Sequence, residues 1–236
     1  MVRVPAITTE QMAEVDRRMI GEFHIDLEVM MENAGRALAQ QARRLLGKVL
    51  RERVLVLVGQ GNNGGGGLVA ARHLHNWGAR PEVLLSSAEE DIKEIPSKQL
   101  KILKSMGVHV PRSSREAEFA TCSLIIDALL GYNQRGNPKG EIAQLVRRAS
   151  GSGKPVLALD IPTGLDPNMG HANEPCIRAS QTLTLGLPKR GLCVRKAKPY
   201  VGALFLADIS VPSKLYRELG VKTPIFATDT IVKLGE

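Results

Sequence analysis

The chain has 236 residues, of which 43% are hydrophobic and 24% are charged, proportions typical of an ordinary globular protein. This composition excludes intrinsic disorder, collagen-like repeats and a small fold framed by disulfides. Lysine and arginine exceed aspartate and glutamate by 32 to 24, so the formal net charge of +8 suits an anionic ligand without identifying one.

Two amphipathic helices are predicted before the first strand. Thr8 and Gln11 fit a Thr-x-x-Gln capping box, and apolar residues then recur at helical spacing up to Gly21. A second helix is predicted over Asp26–Leu46, with Gly47 as its C-terminal stop. These helices could cover a sheet or pair with a second copy of the chain as a homodimer, and the sequence does not choose between the two.

From residue 53 onward the chain alternates between short apolar runs and helical patterns. Helices are predicted between the first four strands, over Leu68–Trp77, Ser97–Met106 and Glu141–Ala149. The predicted strands are Arg53–Gly59, Glu82–Ser86, Leu124–Leu129, Val156–Ile161, Thr182–Leu187 and Ala203–Ile209. Continuous apolar runs that alternate with helices predict a doubly wound, mostly parallel α/β sheet in three αβα layers. No linker or internal repeat divides residues 1–236, so we expect one domain with N-terminal helices.

A glycine-rich segment, Gly59–Gly67, follows the first predicted strand. It contains the pattern G-x-G-x-x-G between a strand and a helix, where backbone amides can bind phosphate. The alternative is a tight turn without a ligand, although six glycines in nine residues exceed what a turn needs. The lysine of a Walker-type loop is absent from the segment. The second strand is followed by Ser86 and Ser87 instead of an acid, which argues against an ordinary NAD-dependent dehydrogenase.

Two aspartates follow neighbouring predicted strands, at the edge where doubly wound sheets bind ligands. Asp127 follows the apolar run Leu124–Ile126 of the third strand, and Asp160 follows the apolar run Val156–Leu159 of the fourth. A carboxylate is costly to bury unless it serves a purpose. Loop capping or an ion pair would be the purely structural explanation. Asn63, Asp127 and Thr163 carry oxygen atoms of the kind that hard cations prefer, so they are candidate ligands for such an ion.

Several sequence blocks occur together in one order, and together they resemble the NAD(P)H-hydrate epimerases, the YjeF N-terminal domain family. They span nearly the whole chain, and their co-occurrence is far more specific than any single glycine motif. The blocks are Ile7–Met12 with Asp16, Met31–Gly35, Gly61–Gly65, Leu68–Leu74, Asp127–Gly131, Leu159–Asp166 and Pro188–Leu192.

The resemblance implies a Rossmann-like fold and a repair reaction on NADH or NADPH that has been hydrated on its nicotinamide ring. The enzyme would interconvert the two epimers at the hydroxyl-bearing carbon, and a separate NAD(P)H-hydrate dehydratase would restore the cofactor from one of them. By match to the family motifs, the substrate would be bound by Asn62, Asn63, Gly64, Gly65, Gly66, Gly131, Tyr132, Asn133, Gln134, Arg135, Gly136, Asn137 and Asp160. A potassium ion would be held by Asn63, Asp127 and Thr163, where the family usually has Ser at the last position.

Asp160 is the expected catalytic acid/base of that reaction. Epimerising a carbinolamine carbon requires either loss and return of the hydroxyl or opening and closing of the ring, and both routes need proton transfer near the ring nitrogen. A carboxylate would also stabilise the iminium-like state that forms when the hydroxyl leaves. Among the basic residues, Arg135, Lys139 and Lys189 are expected to face the pyrophosphate.

Gly66 departs from the family pattern, which usually has Asp at this position. One alternative is therefore a nucleotide-binding or protein-partner module of the same fold whose catalysis is impaired. Another, from the glycine segment alone, is an NAD(P)-dependent oxidoreductase. Arg135 is a second departure, since the family often has Lys there, and arginine can bind phosphate but cannot act as a general acid.

The remaining sequence features concern partners and compartment. Aromatic residues make up only 3%, too few for stacking platforms, so no nucleic-acid partner is expected. Cys122, Cys176 and Cys193 form no C-x-x-C pair, which predicts reduced thiols. The N-terminus lacks an apolar signal core, and no apolar run approaches the ~20 residues of a membrane span, so we expect a cytoplasmic protein without a membrane partner.

Overall fold

The computed structural model describes residues 3–111, 117–222 and 224–235, which are organised around a sheet of seven strands. The strands are β1 (Arg53–Val58), β2 (Arg80–Leu85), β3 (Leu124–Ala128), β4 (Val156–Leu159), β5 (Gln181–Leu185), β6 (Ala203–Ala207) and β7 (Ile231–Lys233). The α-helices are α1 (Thr9–Gly21), α2 (Leu27–Leu46), α3 (Asn62–Asn76), α4 (Glu94–Ser105), α5 (Gly140–Gly151), α6 (Lys198–Val201) and α7 (Ser213–Glu218).

The strand order is β2-β1-β3-β4-β5-β6-β7, and neighbouring strands are parallel except for β6 and β7. The chain moves from β1 outward to β2 and then returns to place β3 on the other side of β1. This reversal leaves a crevice at the carboxyl ends of β1 and β3, where doubly wound sheets bind ligands. The prediction of a doubly wound, mostly parallel sheet is therefore confirmed.

Alternate side chains of the central strands belong to two separate apolar cores. Val54, Val56 and Val58 of β1 pack in the core that α2, α3 and α4 cover. Leu55 and Leu57 pack on the other face, in the core that α5 covers. Both faces of β1 are buried, which explains why its sequence is a continuous apolar run. The prediction of three layers is confirmed.

The N-terminal segment is attached to the half of the sheet that carries β5 and β6. α1 begins after the predicted capping box, in which the backbone amides of Thr8 and Gln11 each donate to the other's side chain. The apolar face of α1 packs with residues that follow β6. Ahead of α1, the Ile7 amide donates to the Pro188 carbonyl at 2.9 Å, and Ile7 forms a parallel bridge with Lys189. The segment thus reaches the loop that follows β5.

Most predicted boundaries lie within three residues of the observed ones, and α3 is the exception. The sequence predicts that this helix starts at Leu68, but it begins at Asn62, so most of the glycine-rich segment is helical. That prediction is wrong because glycine lowers helix propensity in isolation, whereas close packing on the sheet requires it here. α6, α7 and β7 have no predicted counterpart. No helix in the described part of the chain is long and apolar enough to cross a membrane.

Candidate functional site

A cavity of about 530 Å³ lies at the carboxyl ends of β1 and β3. Residues of α1 and α2 line one side of it, and the start of α3 and the loops after β3 and β4 line the rest. The predicted site residues in its wall are Asn62, Asn63, Gly66, Gly131, Tyr132, Asn133, Gln134 and Asp160. The crevice that the topology creates therefore contains a preformed pocket in which a few polar groups meet apolar walls.

The first turn of α3 directs backbone amides toward this cavity. Gly61 is the N-cap and supplies no side-chain cap, and the Gly65 amide donates to the Gly61 carbonyl at 3.2 Å. The amides of Asn62, Asn63 and Gly64 precede that bond and have no acceptor within the helix, as at any helix start. Together with the positive end of the helix dipole, they provide a favourable position for an anionic group.

Four of the glycines make close contacts that need no ligand to explain them, and at Gly59, Gly64 and Gly67 the contact is with a backbone or Cβ atom that cannot easily shift. A Cβ at Gly59 would lie 1.8 Å from the Leu129 carbonyl oxygen, and a Cβ at Gly64 would lie 1.9 Å from the carbonyl oxygen of Gly59. A Cβ at Gly65 would lie 2.4 Å from a methionine sulfur, and one at Gly67 would lie 2.6 Å from an alanine methyl carbon. Gly64 and Gly65 do not line the cavity with their own atoms. Close packing of the strand-to-helix turn accounts for these positions.

Gly66 differs from these four because it does line the cavity. A Cβ there would approach only Cδ2 of Leu159, at 2.8 Å, and the flexible end of that side chain can shift. An aspartate at position 66 would therefore add a carboxylate to the cavity wall without breaking the fold. Its replacement by glycine removes a polar group from the pocket and leaves the surrounding backbone as it is.

Asp160 stands directly after β4 with a backbone φ of +65°, in the left-handed region that residues other than glycine rarely adopt. Its Oδ1 accepts from Lys189 Nζ at 2.5 Å and from the Thr184 hydroxyl at 3.4 Å, and its Oδ2 accepts from the Tyr132 amide at 3.0 Å. The exposed fractions of the Asp160 and Lys189 side chains are 4% and 0%. An uncommon backbone conformation and a buried, ion-paired carboxylate in a cavity wall together point to a functional position.

Lys189 is buried in the protein, whereas the sequence-based expectation placed it against a pyrophosphate. Its ammonium group donates to the Leu185 carbonyl at 3.0 Å and lies 5.5 Å from the centre of the Tyr132 ring, in addition to its pair with Asp160. A buried ammonium is tolerated because the carboxylate compensates its charge and the carbonyl accepts a second hydrogen bond. Its role here is to hold Asp160.

Asp127 and Thr163, two of the three predicted cation ligands, are in direct contact and fully buried. Asp127 Oδ1 accepts from the Thr163 hydroxyl and Oδ2 accepts from the Thr163 amide, both at 2.8 Å. Burial raises the pKa of Asp127 to about 6, although these hydrogen bonds act in the opposite direction. The third predicted ligand, Asn63, lines the cavity beside Gly131 of the loop that follows Asp127, and its Nδ2 donates to the Leu159 carbonyl at 3.4 Å.

The loop after β3 is shared between the cavity and solvent. Its exposed residues, which do not line the cavity, are Arg135, Gly136, Asn137 and Lys139. Gln134 also holds the neighbouring turn, since its Oε1 accepts from the Gly164 amide at 2.6 Å and its Nε2 donates to the Pro162 carbonyl at 3.2 Å. Asn137 Oδ1 accepts from the Glu174 amide at 3.1 Å. These bonds join the loops after β3 and β4 into one wall of the pocket.

Asp16 is a pocket residue that the predicted site does not include. It lines the cavity from α1, and the Tyr132 hydroxyl donates to its Oδ2 at 2.6 Å. Burial raises the pKa of Asp16, and burial together with the Asp16 charge raises the pKa of Tyr132. The sequence does mark this residue, because Asp16 lies four residues after the core residue Met12 and directly after the core residue Val15. A carboxylate does not contribute to the packing of an apolar helix face, so its presence there indicates another role.

Fold and site together define a doubly wound α/β protein with a cavity at the β1/β3 switch point and a buried carboxylate in the cavity wall. Residues 27–191 match the family model described as YjeF-related protein N-terminus. Since this match spans more than half of the chain, the chain belongs to the YjeF-related N-terminal family.

Individual relatives agree with this membership. The NAD(P)H-hydrate epimerase of Dehalogenimonas lykanthroporepellens is 37% identical over 93% of this chain and 87% of its own length, and that of Rhodopirellula baltica is 31% identical over 94% and 91%. The bifunctional NAD(P)H-hydrate repair enzyme Nnr of Moorella thermoacetica is 36% identical over 89% of this chain and 41% of its own length. Among solved structures, yeast ynu0 (YNL200c) matches with a TM-score of 0.85 and 25% identity over 98% of this chain and 100% of that one.

Proposed function

We propose that this protein is an NAD(P)H-hydrate epimerase, which interconverts the R and S forms of hydrated NADH and NADPH. The observation that carries the proposal is Asp160, paired with the buried Lys189, in the wall of a cavity at the switch point, because the reaction needs a proton-transferring carboxylate beside a bound dinucleotide. Family membership and relatives that bear this name support it. The alternative of a catalytically impaired module rests on Gly66 alone, and the Asp160–Lys189 pair is intact with glycine at position 66. The alternative of an NAD(P)-dependent oxidoreductase rests on the glycine-rich segment, whose glycines close packing already explains.

Asp160 has the surroundings of a group that handles both protons and positive charge. The hydroxyl-bearing carbon of the substrate is attached to the ring nitrogen, whose lone pair can expel the hydroxyl and leave a cationic ring. A carboxylate held in place by Lys189 and by the Tyr132 amide is preorganised to stabilise that cation and to exchange a proton with the hydroxyl or with water. No rearrangement of these partners is required at the moment of reaction.

The rest of the pocket supplies binding groups for the dinucleotide. We assign the pyrophosphate to the first turn of α3, where the amides of Asn62, Asn63 and Gly64 have no helical acceptor. The other predicted contacts come from residues 131–137 of the loop after β3, whose first four residues line the cavity. The exposed Arg135 extends from this loop as a further candidate for a phosphate contact.

We propose that Asn63, Asp127 and Thr163 hold a potassium ion. One carboxylate, one hydroxyl and one side-chain amide form an all-oxygen donor set that suits a hard cation. Asp127 is fully buried, and its contacts with the Thr163 and Leu129 groups are to neutral donors, so a cation would compensate its charge. No group of three or more His, Cys, Asp or Glu residues in the described ranges could hold a metal instead. When bound, the ion would supply positive charge and fix the loops that carry its ligands.

The proposed setting is a repair sequence in the cytoplasm in which an NAD(P)H-hydrate dehydratase consumes one epimer. Two relatives are named bifunctional NAD(P)H-hydrate repair enzymes, and the match spans 41% of each, which leaves room in them for a second activity. The three cysteines are free thiols, in keeping with a reducing compartment. Association of two copies is a further expectation, and light scattering would measure it.

The decisive experiment is to incubate the purified protein with one hydrate epimer and to follow both epimers by chromatography, with and without potassium. We expect equilibration far faster than in buffer alone. Equilibration no faster than the buffer blank would refute the proposed function. Asp160→Asn should remove most of the activity and leave the circular dichroism spectrum unchanged, whereas Asp26→Asn, the same change at an exposed position, should remain active. Unchanged turnover in Asp160→Asn would refute the role of Asp160.

A further inference from the structure

Two carboxylates line the same cavity, and one tyrosine contacts both. The Tyr132 hydroxyl donates to Asp16 Oδ2 at 2.6 Å, and the Tyr132 backbone amide donates to Asp160 Oδ2 at 3.0 Å. Asp16 comes from α1 and Asp160 from the end of β4, so the two acids approach the pocket from different elements. A cavity with two acids fixed by a common residue has the parts of a two-carboxylate active site.

The two acids have different partners. Asp160 forms an ion pair with Lys189 Nζ at 2.5 Å and accepts two further hydrogen bonds, from Tyr132 and Thr184. Asp16 has the Tyr132 hydroxyl as its hydrogen-bond donor, and it is partly buried. Burial and the negative charge of Asp160 raise the pKa of Asp16, whereas Tyr132 and Lys189 lower it, and burial is the largest of these effects.

We propose that Asp16 is the second proton-transfer residue of the epimerisation, acting on one face of the nicotinamide ring while Asp160 acts on the other. This inference rests on the proposed epimerase function and adds a catalytic residue to it. Tyr132 is a positioning residue for this step, since its hydroxyl and its backbone amide orient the two carboxylates.

In one direction of the reaction, the C–O bond of the substrate breaks, its electron pair leaves with the oxygen, and that oxygen takes the Asp16 proton and departs as water. The lone pair of the ring nitrogen forms a C=N bond at the same time. A water molecule then adds to the opposite face, the C=N electron pair returns to nitrogen, and the water gives a proton to Asp160. The other direction exchanges the two roles, and exchange with solvent restores the starting protonation.

The first test compares Asp16→Asn with the wild-type protein on each purified epimer. Asparagine keeps an acceptor for the Tyr132 hydroxyl and removes the transferable proton, so we expect kcat to fall about 100-fold or more with little change in KM. Glu14→Gln removes a charge two residues earlier on the exposed side of α1 and should keep wild-type kcat. Asp16→Asn with kcat within threefold of an active wild-type protein would overturn the inference. Inactivity of the wild-type protein itself would refute the proposed function instead.

The second test uses water labelled with a heavy oxygen isotope and follows the label in each epimer. With Asp160 still present, Asp16→Asn should exchange the hydroxyl of one epimer faster than it converts that epimer into the other. A merely structural role for Asp16 predicts that exchange and conversion slow in equal proportion for both epimers, and this outcome would overturn the two-face assignment. Melting temperatures of the variants identify any that are unfolded, and Asp16→Glu serves as the variant that restores a transferable proton.

The third test is the pH profile of Tyr132→Phe. The Tyr132 hydroxyl lowers the pKa of Asp16, so its removal should move the limb of the kcat profile that reports Asp16 to higher pH in both directions of reaction. The other charged groups that face Asp16 are Lys189, after β5, and Asp160, after β4, and this variant retains both. A loss of activity with an unmoved profile would overturn the positioning role.

Discussion

Replacing Lys189 by methionine removes an ammonium group from the interior and keeps a flexible side chain of similar length. Both partners of its ion pair are almost completely buried, with exposed fractions of 0% and 4%, and the two atoms lie 2.5 Å apart. Removing one member of a buried pair leaves an uncompensated charge, which costs about 3–5 kcal/mol. Asp160 would keep its contacts with Tyr132 and Thr184, so we expect a loss near the lower limit, about 3 kcal/mol in the free energy of unfolding.

Urea denaturation followed by circular dichroism measures this loss directly. For a chain of this size, about 3 kcal/mol corresponds to a fall in melting temperature of about 6–12 °C. Lys214→Met is the matched control, because Lys214 pairs with Glu22 at the surface with 56% of its side chain exposed, and it should cost at most about 1 kcal/mol. The double variant Asp160→Asn with Lys189→Met removes both charges and should recover part of the loss. A loss below about 1 kcal/mol in Lys189→Met alone would refute the reasoning.

Three further substitutions test the glycines and the proposed cation site. Gly64→Ala should destabilise the fold by about 3 kcal/mol in a urea titration, because its Cβ would overlap a carbonyl oxygen, whereas Gly151→Ala, with open space around its Cβ, should not. Gly66→Asp should change kcat/KM in the epimerisation assay by less than about tenfold; a gain of about 100-fold would instead favour an impaired module. Thr163→Val should lose about 1–3 kcal/mol of stability and raise the potassium concentration for half-maximal activity, because a buried hydroxyl bonded to Asp127 is removed. Thr163→Ser keeps that hydroxyl, and equal potassium dependence in the two variants would contradict the proposed cation site.

Much of the sheet could be predicted from the sequence, because strands such as β1 and β3 are buried on both faces and therefore carry unbroken apolar runs. The start of α3 could not, since a run of glycines is a poor helix former in isolation and becomes helical only when the sheet lies against it. β7 has three residues and is antiparallel at an edge, too short for its pattern to stand out.

The candidate site was predictable at the carboxyl ends of strands, where Asp127 is the next-to-last residue of β3 and Asp160 directly follows β4. Lys189 was placed wrongly, because the sequence shows a basic residue in a polar loop and does not show that Ile7 pairs beside it while its side chain turns inward. Asp16 stands on a helix far from any strand end, and neither its place in the family-like blocks nor its position on the apolar face of α1 assigns it a role.

The match to the family model begins at residue 27, yet both Ile7 and Asp16 lie ahead of it. A fragment cut at that boundary would keep the glycine-lined helix and most of the sheet, and it would lose one acid of the pocket and the backbone partner of Lys189. Such a fragment could remain recognisable by sequence while one wall of its pocket was open. For anyone who transplants or fuses this unit, the first usable cut therefore lies upstream of the bridge at Ile7.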